Sequence, residues 1–166
     1  MNYAIVYSSR TGNTKMLADT ISTCLDPADI IYSGVPSDEA LKADYIFIGF
    51  WTDKGSCDEL TLEFLNKVKN KNIFLFGTAG FGQESAYFEK VLSNVRKHVD
   101  DSNTISGSYM CQGKMPLSVR ERYEKMMDSP IHAPNIKGLI ENFDQALSHP
   151  DAKDLTTLKA LIQSLH

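Results

Sequence analysis

The sequence predicts an α/β protein whose parallel sheet is covered by helices on both faces. Five apolar segments alternate with helical patterns along most of the chain, which is the arrangement that a parallel sheet requires. One of them, residues 45–50, is apolar or glycine at every position, as expected for a strand buried on both faces. We therefore expect a three-layer sandwich with its ligand beyond the carboxyl ends of the strands.

Hydrophobic periodicity gives the order of the elements. The predicted strands cover residues 3–7, 30–32, 45–50, 73–76 and 105–110. Apolar side chains at helical spacing predict helices over 14–25, 60–68, 87–99, 117–127, 136–147 and 155–165, and Asp151 is placed to cap the last one. We expect a single domain, residues 1–166, in which 118–166 form a helical extension that either covers one face of the sheet or docks a partner.

Composition excludes several classes of function. The 166 residues are 42% hydrophobic and 23% charged, which suits a packed core and is unlike disordered or collagen-like chains. The net charge of −4 argues against a protein whose affinity depends on nucleic-acid phosphates. No segment approaches the ~20 apolar residues of a spanning helix. We therefore expect neither nucleic acid nor a membrane among the partners.

The positions of the cysteines and histidines indicate the cellular compartment and whether the protein binds a metal. Cys24, Cys57 and Cys111 are odd in number and far apart, which argues against a disulfide framework. The N-terminal segment lacks the positive start and long apolar run of a signal peptide, so we expect a cytoplasmic protein. The four histidines lack the spacing of a zinc site, and we expect no metal.

The segment after the first strand carries the strongest functional signal. It supplies hydroxyls, an amide and a glycine at the point where a helix is predicted to begin. Backbone N–H groups and the positive end of a helix dipole favour an anion at such a place. We expect a phosphate cradle in which Gly12 permits close approach of the backbone. Its residues are Ser9, Arg10, Thr11, Gly12, Asn13 and Thr14.

These residues also carry a family resemblance. Their sequence resembles the phosphate-loop signature of the flavodoxins, Ser/Thr-x-Ser/Thr-Gly-x-Ser/Thr, at the place where that family has it. The resemblance implies FMN as the cofactor and a flavodoxin-like sheet of order 2-1-3-4-5. It also implies that Ser9, Thr11, Asn13 and Thr14 donate to the phosphate. Arg10 departs from the small or variable residue often found there, and it either pairs with the phosphate or points to solvent.

Two further segments match the loops that hold the flavin ring in flavodoxins. The first follows the third strand and contains Trp51, Thr52, Asp53, Lys54 and Gly55. Trp51 either stacks on or edges the flavin ring, or is a structural aromatic residue that packs at the rim of the fold. Gly55 resembles the family device that turns the preceding peptide towards flavin N5. The second segment follows the fourth strand and contains Thr78, Ala79, Gly80, Phe81 and Gly82. Tyr87 lies at helical spacing and is predicted to belong to the core.

The fifth strand ends in Cys111-Gln112-Gly113-Lys114-Met115 at the same edge of the sheet. Together with the motifs SSRTGNT and GTAGFG, this segment resembles a flavodoxin subgroup found largely in anaerobes, which includes the small flavodoxin associated with bilirubin reductase. Cys111 is either a small buried hydrophobe or a redox thiol.

The resemblance implies an electron carrier rather than an enzyme. Its partners would be redox proteins, a reductase and an acceptor enzyme, and we expect a monomer or a weak dimer. No general base is evident in the loops, so no catalytic residue is assigned. The alternative is an FMN-dependent NAD(P)H reductase that acts on a quinone, a flavin or a tetrapyrrole.

The exposed edge of the flavin predicts where a partner docks. We expect the docking surface within residues 51–58, 80–84 and 112–114. Its carboxylates give it an acidic cast and predict a basic partner. They are Asp53, Asp58, Glu59 and Glu84. Alternatively, Asp58 and Glu59 stabilise the N-terminus of the helix that follows.

Overall fold

The computed structural model describes residues 1–81, 85–131 and 134–165. Within them the strands are β1 (Tyr3–Tyr7), β2 (Ile30–Gly34), β3 (Tyr45–Asp53), β4 (Ser56–Cys57), β5 (Asn72–Ala79) and β6 (Thr104–Gln112). The α-helices are α1 (Asn13–Thr23), α2 (Glu59–Leu65), α3 (Ser85–Arg96), α4 (Leu117–Asp128), α5 (Ile136–Ala146) and α6 (Ala152–Ser164). Short 3-10 turns, Pro27–Asp29 and Asp38–Lys42, precede β2 and β3.

The five long strands are parallel and lie in the order β2-β1-β3-β5-β6. This confirms the predicted fold class and the predicted order of the five parallel strands. The sequence prediction missed β4, which pairs antiparallel with the end of β3. Two residues are too short to show a hydrophobic period, and the segment therefore had the appearance of a loop.

Strands β3 and β5 extend three residues beyond the apolar segments that predicted them. Their ends stay in register, with Trp51 opposite Thr78. Backbone pairing does not depend on side-chain hydrophobicity, so the ladder continues past the last strongly apolar residue of each segment. This extension places the predicted ring-binding residues on rigid strands.

Apolar side chains cover both faces of the sheet, which explains why the strand segments are apolar throughout. On one face, Ile5 and Phe47 pack against Leu17 of α1 and Leu158 of α6. On the other face, Val6 and the neighbouring strands pack against α2 and α3. Within the described residues no helix has the length and apolar character needed to cross a membrane.

The last three helices have two different structural roles. Helix α6 lies beside α1 and completes the cover of one face of the sheet. A reciprocal pair of hydrogen bonds between Asp151 and Asp154, each 2.9 Å long, caps its N-terminus, as the sequence predicted.

Helices α4 and α5 pack on each other instead, and we call them the α4–α5 hairpin. Tyr123, Ile136 and Phe143 form a separate buried cluster between the two helices. Arg120 joins them through two hydrogen bonds to Asp144, of 2.9 and 3.1 Å. The hairpin is therefore a unit added between β6 and the helix that closes the sandwich.

The packing of α6 predicts a large loss of stability on truncation of its core side chain. Leu158 is fully buried, and Leu158→Ala should lower the free energy of unfolding by about 3 kcal/mol because it leaves a cavity between α6 and the sheet. Leu147→Ala is the control, because Leu147 is 52% exposed. Urea unfolding measures both variants, and equal small losses would mean that α6 does not belong to the core.

Candidate functional site

A cavity of about 420 Å³ opens where β1, β3, β5 and β6 end, beneath the α4–α5 hairpin. This volume is within the range of small-molecule and cofactor sites. Most of the residues predicted for cofactor binding line it, namely Arg10, Thr11, Asn13, Thr14, Trp51, Thr52, Asp53, Lys54, Gly55, Thr78, Ala79, Gly80 and Phe81. Ser9 and Gly12 lie outside the lining, and Gly82 lies outside the described residues.

The loop between β1 and α1 is held by its own side chain. Ser9 Oγ accepts hydrogen bonds from the backbone N–H groups of Gly12, at 3.1 Å, and of Lys15, at 3.3 Å. Gly12 has a φ of +88°, a left-handed conformation that favours glycine. Ser9 therefore shapes the start of α1, and its hydroxyl points to the backbone N–H groups of this loop.

Asn13 and Thr11 bind the segment that follows β6. Asn13 Nδ2 donates to the carbonyl oxygen of Lys114 at 2.8 Å, and Thr11 Oγ1 donates to the same oxygen at 3.3 Å. This contact fixes the orientation of the Asn13 amide, so its Oδ1 atom is an acceptor. Oδ1 is buried and has no hydrogen-bond partner among the described residues. A buried acceptor of this kind at a cavity wall fits a ligand that carries hydroxyl groups.

Thr14 lines the cavity, and its hydroxyl is bonded within the protein. Its side chain is fully buried, and Oγ1 donates to the carbonyl of Phe50 at 3.1 Å. Because a hydroxyl has one proton, the contact of 3.2 Å with Thr78 must use the Thr78 proton. Thr52 donates in turn to the carbonyl of Thr78 at 2.9 Å. These hydroxyls join α1 to the ends of β3 and β5, and Thr14 has no proton left for a phosphate.

The segment with Trp51 is a β-hairpin rather than a loop. Lys54 and Gly55 both have positive φ angles, of 51° and 78°, and they turn β3 back into β4. Asn94 of α3 donates to the carbonyl of Gly55 at 2.8 Å and braces this turn. Trp51 lines the cavity, and the guanidinium of Arg10 lies 5.4 Å from the centre of its ring. Arg10 therefore stacks on Trp51, an outcome that the sequence alternatives did not include.

The end of β5 is anchored from two other elements. Gln112 of β6 and Asn142 of α5 each donate to the carbonyl of Gly80 at 3.0 Å. The Gly113 N–H donates to the carbonyl of Ala79, also at 3.0 Å. These bonds connect the second predicted ring-binding segment to the α4–α5 hairpin.

The sequence prediction did not assign to the cofactor the wall contributed by the α4–α5 hairpin and by the segment before it, although it placed residues 111–115 at this edge of the sheet. Its residues are Gly113, Lys114, Met115, Pro116, Val119, Arg122 and Tyr123. The first three follow a strand at the same edge, so their position was a usable signal. Val119, Arg122 and Tyr123 share one face of a helix, but nothing in the pattern shows which face meets the cavity. Tyr87, predicted to be core, packs on the core and also lines the cavity.

The structure decides between the two interpretations of Cys111. Its side chain is buried, and burial raises the pKa of the thiol far above its ordinary value, with the nearby Asp154 acting in the same direction. Burial also raises the pKa of Cys57 to about 11. Both thiols are therefore packing residues, because the thiolate is the reactive form.

The structure removes one carboxylate, Asp58, from the acidic docking surface that the sequence predicted. Asp58 is only 2% exposed, and it caps α2 by accepting from the hydroxyl of Thr61 at 2.8 Å. Glu59 does not line the cavity, and Glu84 lies outside the described residues. Asp58 therefore stabilises the helix, which is the alternative that the sequence left open.

The sheet order, the polar loop after β1 and the cavity at the strand ends define an α/β protein that binds its ligand at the topological switch point. A family model described as a flavodoxin domain matches residues 4–163. The chain belongs to the flavodoxin family, and this confirms FMN as its cofactor.

Two relatives share most of their length with this chain. The flavodoxin-like domain-containing protein BilS of Clostridium symbiosum (strain WAL-14163) is 35% identical over 99% of this chain and 95% of that protein. BilS of Clostridioides difficile (strain CD3) is 30% identical over 93% of this chain and 90% of that protein. Among solved structures, the oxidised Flavodoxin 2 of Bacillus cereus has a TM-score of 0.56 with 15% identity, covering 99% of this chain and 97% of that one.

The raised thiol pKa values predict selective labelling of the native protein. Cys24 is half-buried and should react with a disulfide reagent at pH 8, whereas Cys57 and Cys111 should react only after unfolding. We expect one fast thiol per chain, and Cys24→Ser should abolish it. A fast phase that disappears in Cys111→Ser instead would restore the redox-thiol interpretation.

Proposed function

We propose that this protein is a cytoplasmic electron carrier that holds FMN in the cavity and passes electrons between a reductase and an acceptor enzyme. The observation that carries the proposal is the chemistry of the lining. Among the described residues it combines hydroxyl, amide and aromatic side chains with four cations, and its only carboxylate is Asp53. The described lining residues include no histidine and no cysteine. Bound FMN supplies the electron chemistry, and the protein supplies binding and orientation.

Each part of the lining suits one part of the cofactor. We assign the phosphate to the start of α1, where Arg10, Thr11 and Asn13 line the cavity and Ser9 and Gly12 shape the loop. The positive end of the helix dipole favours an anion there.

The Asn13 Oδ1 atom would accept a hydrogen bond from a ribityl hydroxyl, which would satisfy a buried acceptor.

The flavin ring is assigned to the space between the two strand ends. The first wall is the β3–β4 hairpin, from Trp51 to Gly55, and the second runs from Thr78 to Phe81. The remaining predicted residue, Gly82, stays a prediction. Carbonyls at the end of β5 are tied to Gln112 and Asn142, so this wall is rigid before the cofactor binds. Rigid walls reduce the ordering that binding requires.

The contact between Gly113 and Asn13 predicts a sensitive position. A Cβ on Gly113 would lie 2.5 Å from Asn13 Nδ2, so Gly113→Ala must displace the side chain of Asn13, which lines the cavity at the proposed phosphate site. We expect FMN affinity to fall about tenfold, or roughly 1.4 kcal/mol, in a titration followed by flavin fluorescence. Gly138→Ala is the matched control, because a Cβ there meets no atom within 4 Å. An unchanged affinity in Gly113→Ala would contradict the assignment of the phosphate.

A direct NAD(P)H reductase is the second candidate, and the α4–α5 hairpin is the observation that favours it. Met115, Val119 and Tyr123 give the cavity an apolar wall beside the predicted ring site. Such a wall would suit a second planar molecule, such as a quinone, a flavin or a tetrapyrrole. A substrate of this kind would have to enter beside the bound flavin.

Anaerobic mixing with NADH or NADPH separates the two candidates. A carrier should keep its oxidised flavin absorbance for minutes and lose it only when a reductase is added. Rapid bleaching by the nucleotide alone would contradict the carrier and support the reductase. Failure of the apoprotein to bind FMN at micromolar concentrations would contradict both.

A further inference from the structure

The four arginines of the chain divide into two pairs. Arg96 bonds to Glu89, and Arg120 bonds to Glu124 and Asp144. Arg10 and Arg122 both line the cavity, and neither has a carboxylate partner among the described residues. Arginine without a carboxylate at a cavity indicates a site for an anion.

The cavity lining as a whole is basic. Arg10, Lys54, Lys114 and Arg122 line it, all four are exposed, and the carboxylate of Asp53 is the only opposing charge among the described lining residues. This excess of positive charge lies in a chain whose net charge is −4. A bound monophosphate carries about two negative charges at neutral pH, so it leaves the rim with positive charge.

The four cations come from separate parts of the chain. Arg10 belongs to the loop after β1, Lys54 to the turn between β3 and β4, Lys114 to the segment after β6, and Arg122 to α4. Arg10 and Lys114 lie at the phosphate end, because Lys114 accepts hydrogen bonds from Thr11 and Asn13. Lys54 and Arg122 belong to the β3–β4 turn and to the α4–α5 hairpin, so a phosphate at the start of α1 does not account for these two cations.

Apolar side chains are exposed at the same rim. Phe81 lines the cavity and is 40% exposed, and Leu117, next to the lining residue Pro116, is 64% exposed. Transient redox interfaces combine a small apolar contact with charges that steer the encounter.

We infer that the cavity rim docks an acidic surface of a redox partner protein. The rim is defined by Arg10, Lys54, Phe81, Lys114, Leu117 and Arg122. The inference rests on the proposed electron-carrier function, because a partner must approach the flavin through the rim. It reverses the sequence expectation of a basic partner. The acidic chain disfavours a nucleic acid as the occupant, because its remaining surface would repel a polyanion.

Two outer-sphere oxidants of opposite charge measure the sign of the charge on this rim, and no known partner is needed. The FMN-loaded protein is reduced anaerobically and mixed with ferricyanide or with a cationic cobalt(III) complex. Each ferricyanide ion accepts one electron and becomes ferrocyanide, so two ions oxidise one fully reduced flavin, whose protons pass to the buffer. Each cobalt(III) complex likewise accepts one electron and becomes cobalt(II). The ferricyanide rate should fall with salt and the cobalt rate should rise, because salt screens attraction and repulsion alike.

Charge reversal on the rim should slow the reaction with ferricyanide and accelerate the reaction with the cobalt complex. At about 10 mM salt, Arg122→Glu should slow ferricyanide roughly tenfold and accelerate the cobalt complex, and Lys54→Glu should do the same. Arg122→Gln should give a smaller change of the same sign. Lys159→Glu on α6 is the control, because it alters the net charge equally and lies outside the cavity lining. Flavin absorbance and an FMN titration accompany each variant.

A basic cytochrome c extends the test to a protein surface. Its haem iron accepts one electron from the reduced flavin, and its like charge should make the reaction slow at low salt and faster as salt is added. Arg122→Glu and Lys54→Glu should each remove this salt activation, and Lys159→Glu should keep it. If these variants leave the cytochrome c rate unchanged but alter the ferricyanide rate, the rim attracts a small anion and protein docking is overturned.

The remaining outcomes also decide the question. A ferricyanide rate that rises with salt and a cobalt rate that falls with salt, both in the unmodified protein, would overturn the inference while FMN binding and the carrier function stand. Release of FMN by Arg122→Glu together with an unchanged oxidant preference in Lys54→Glu would assign the charge to the cofactor phosphate and overturn docking at the rim. Absence of FMN from the unmodified protein would reject the proposed function itself.

Discussion

The backbone of Lys114 is the junction on which the cofactor end of the molecule depends. Its carbonyl accepts from both Asn13 and Thr11, and its N–H donates to the carbonyl of His149 at 2.9 Å. One residue therefore joins the loop after β1, the end of β6 and the turn that leads into α6. Gly113 next to it has no room for a side chain against Asn13. The spacing of these elements limits what the cavity can hold.

The α4–α5 hairpin distinguishes this chain from a bare parallel sandwich. It is held together by its own small core and by the Arg120–Asp144 pair, and it reaches the sheet through Asn142, which donates to Gly80. Through this bond the hairpin braces one predicted wall of the flavin site, and through Arg122 it adds charge to the rim. One inserted unit thus contributes both to a wall of the cavity and to the charge of its opening.

Polar side chains near the site fall into two groups with different consequences. Thr14, Asp58 and Ser9 use their side-chain oxygen atoms in hydrogen bonds to backbone groups or to threonine hydroxyls, so they determine the shape of the strand ends. Arg10, Lys54 and Arg122 remain exposed around the opening and determine its charge. A buried polar atom is costly without a partner, whereas an exposed cation keeps its hydration and stays available to a ligand.

The sequence by itself determined the apolar cover of both faces, the cap at Asp151 and the edge of the sheet at which the cavity lies, and its resemblance to the flavodoxins implied the strand order. These properties follow from short-range patterns and from the rule that parallel strands end at one edge. Only the tertiary structure decided that Thr14 is committed to Phe50, that Arg10 stacks on Trp51, and that the rim is basic. Those outcomes depend on contacts between residues far apart in the chain. Residue type and local spacing do not show which hydrogen-bond partner a hydroxyl finds or which helix face meets a cavity.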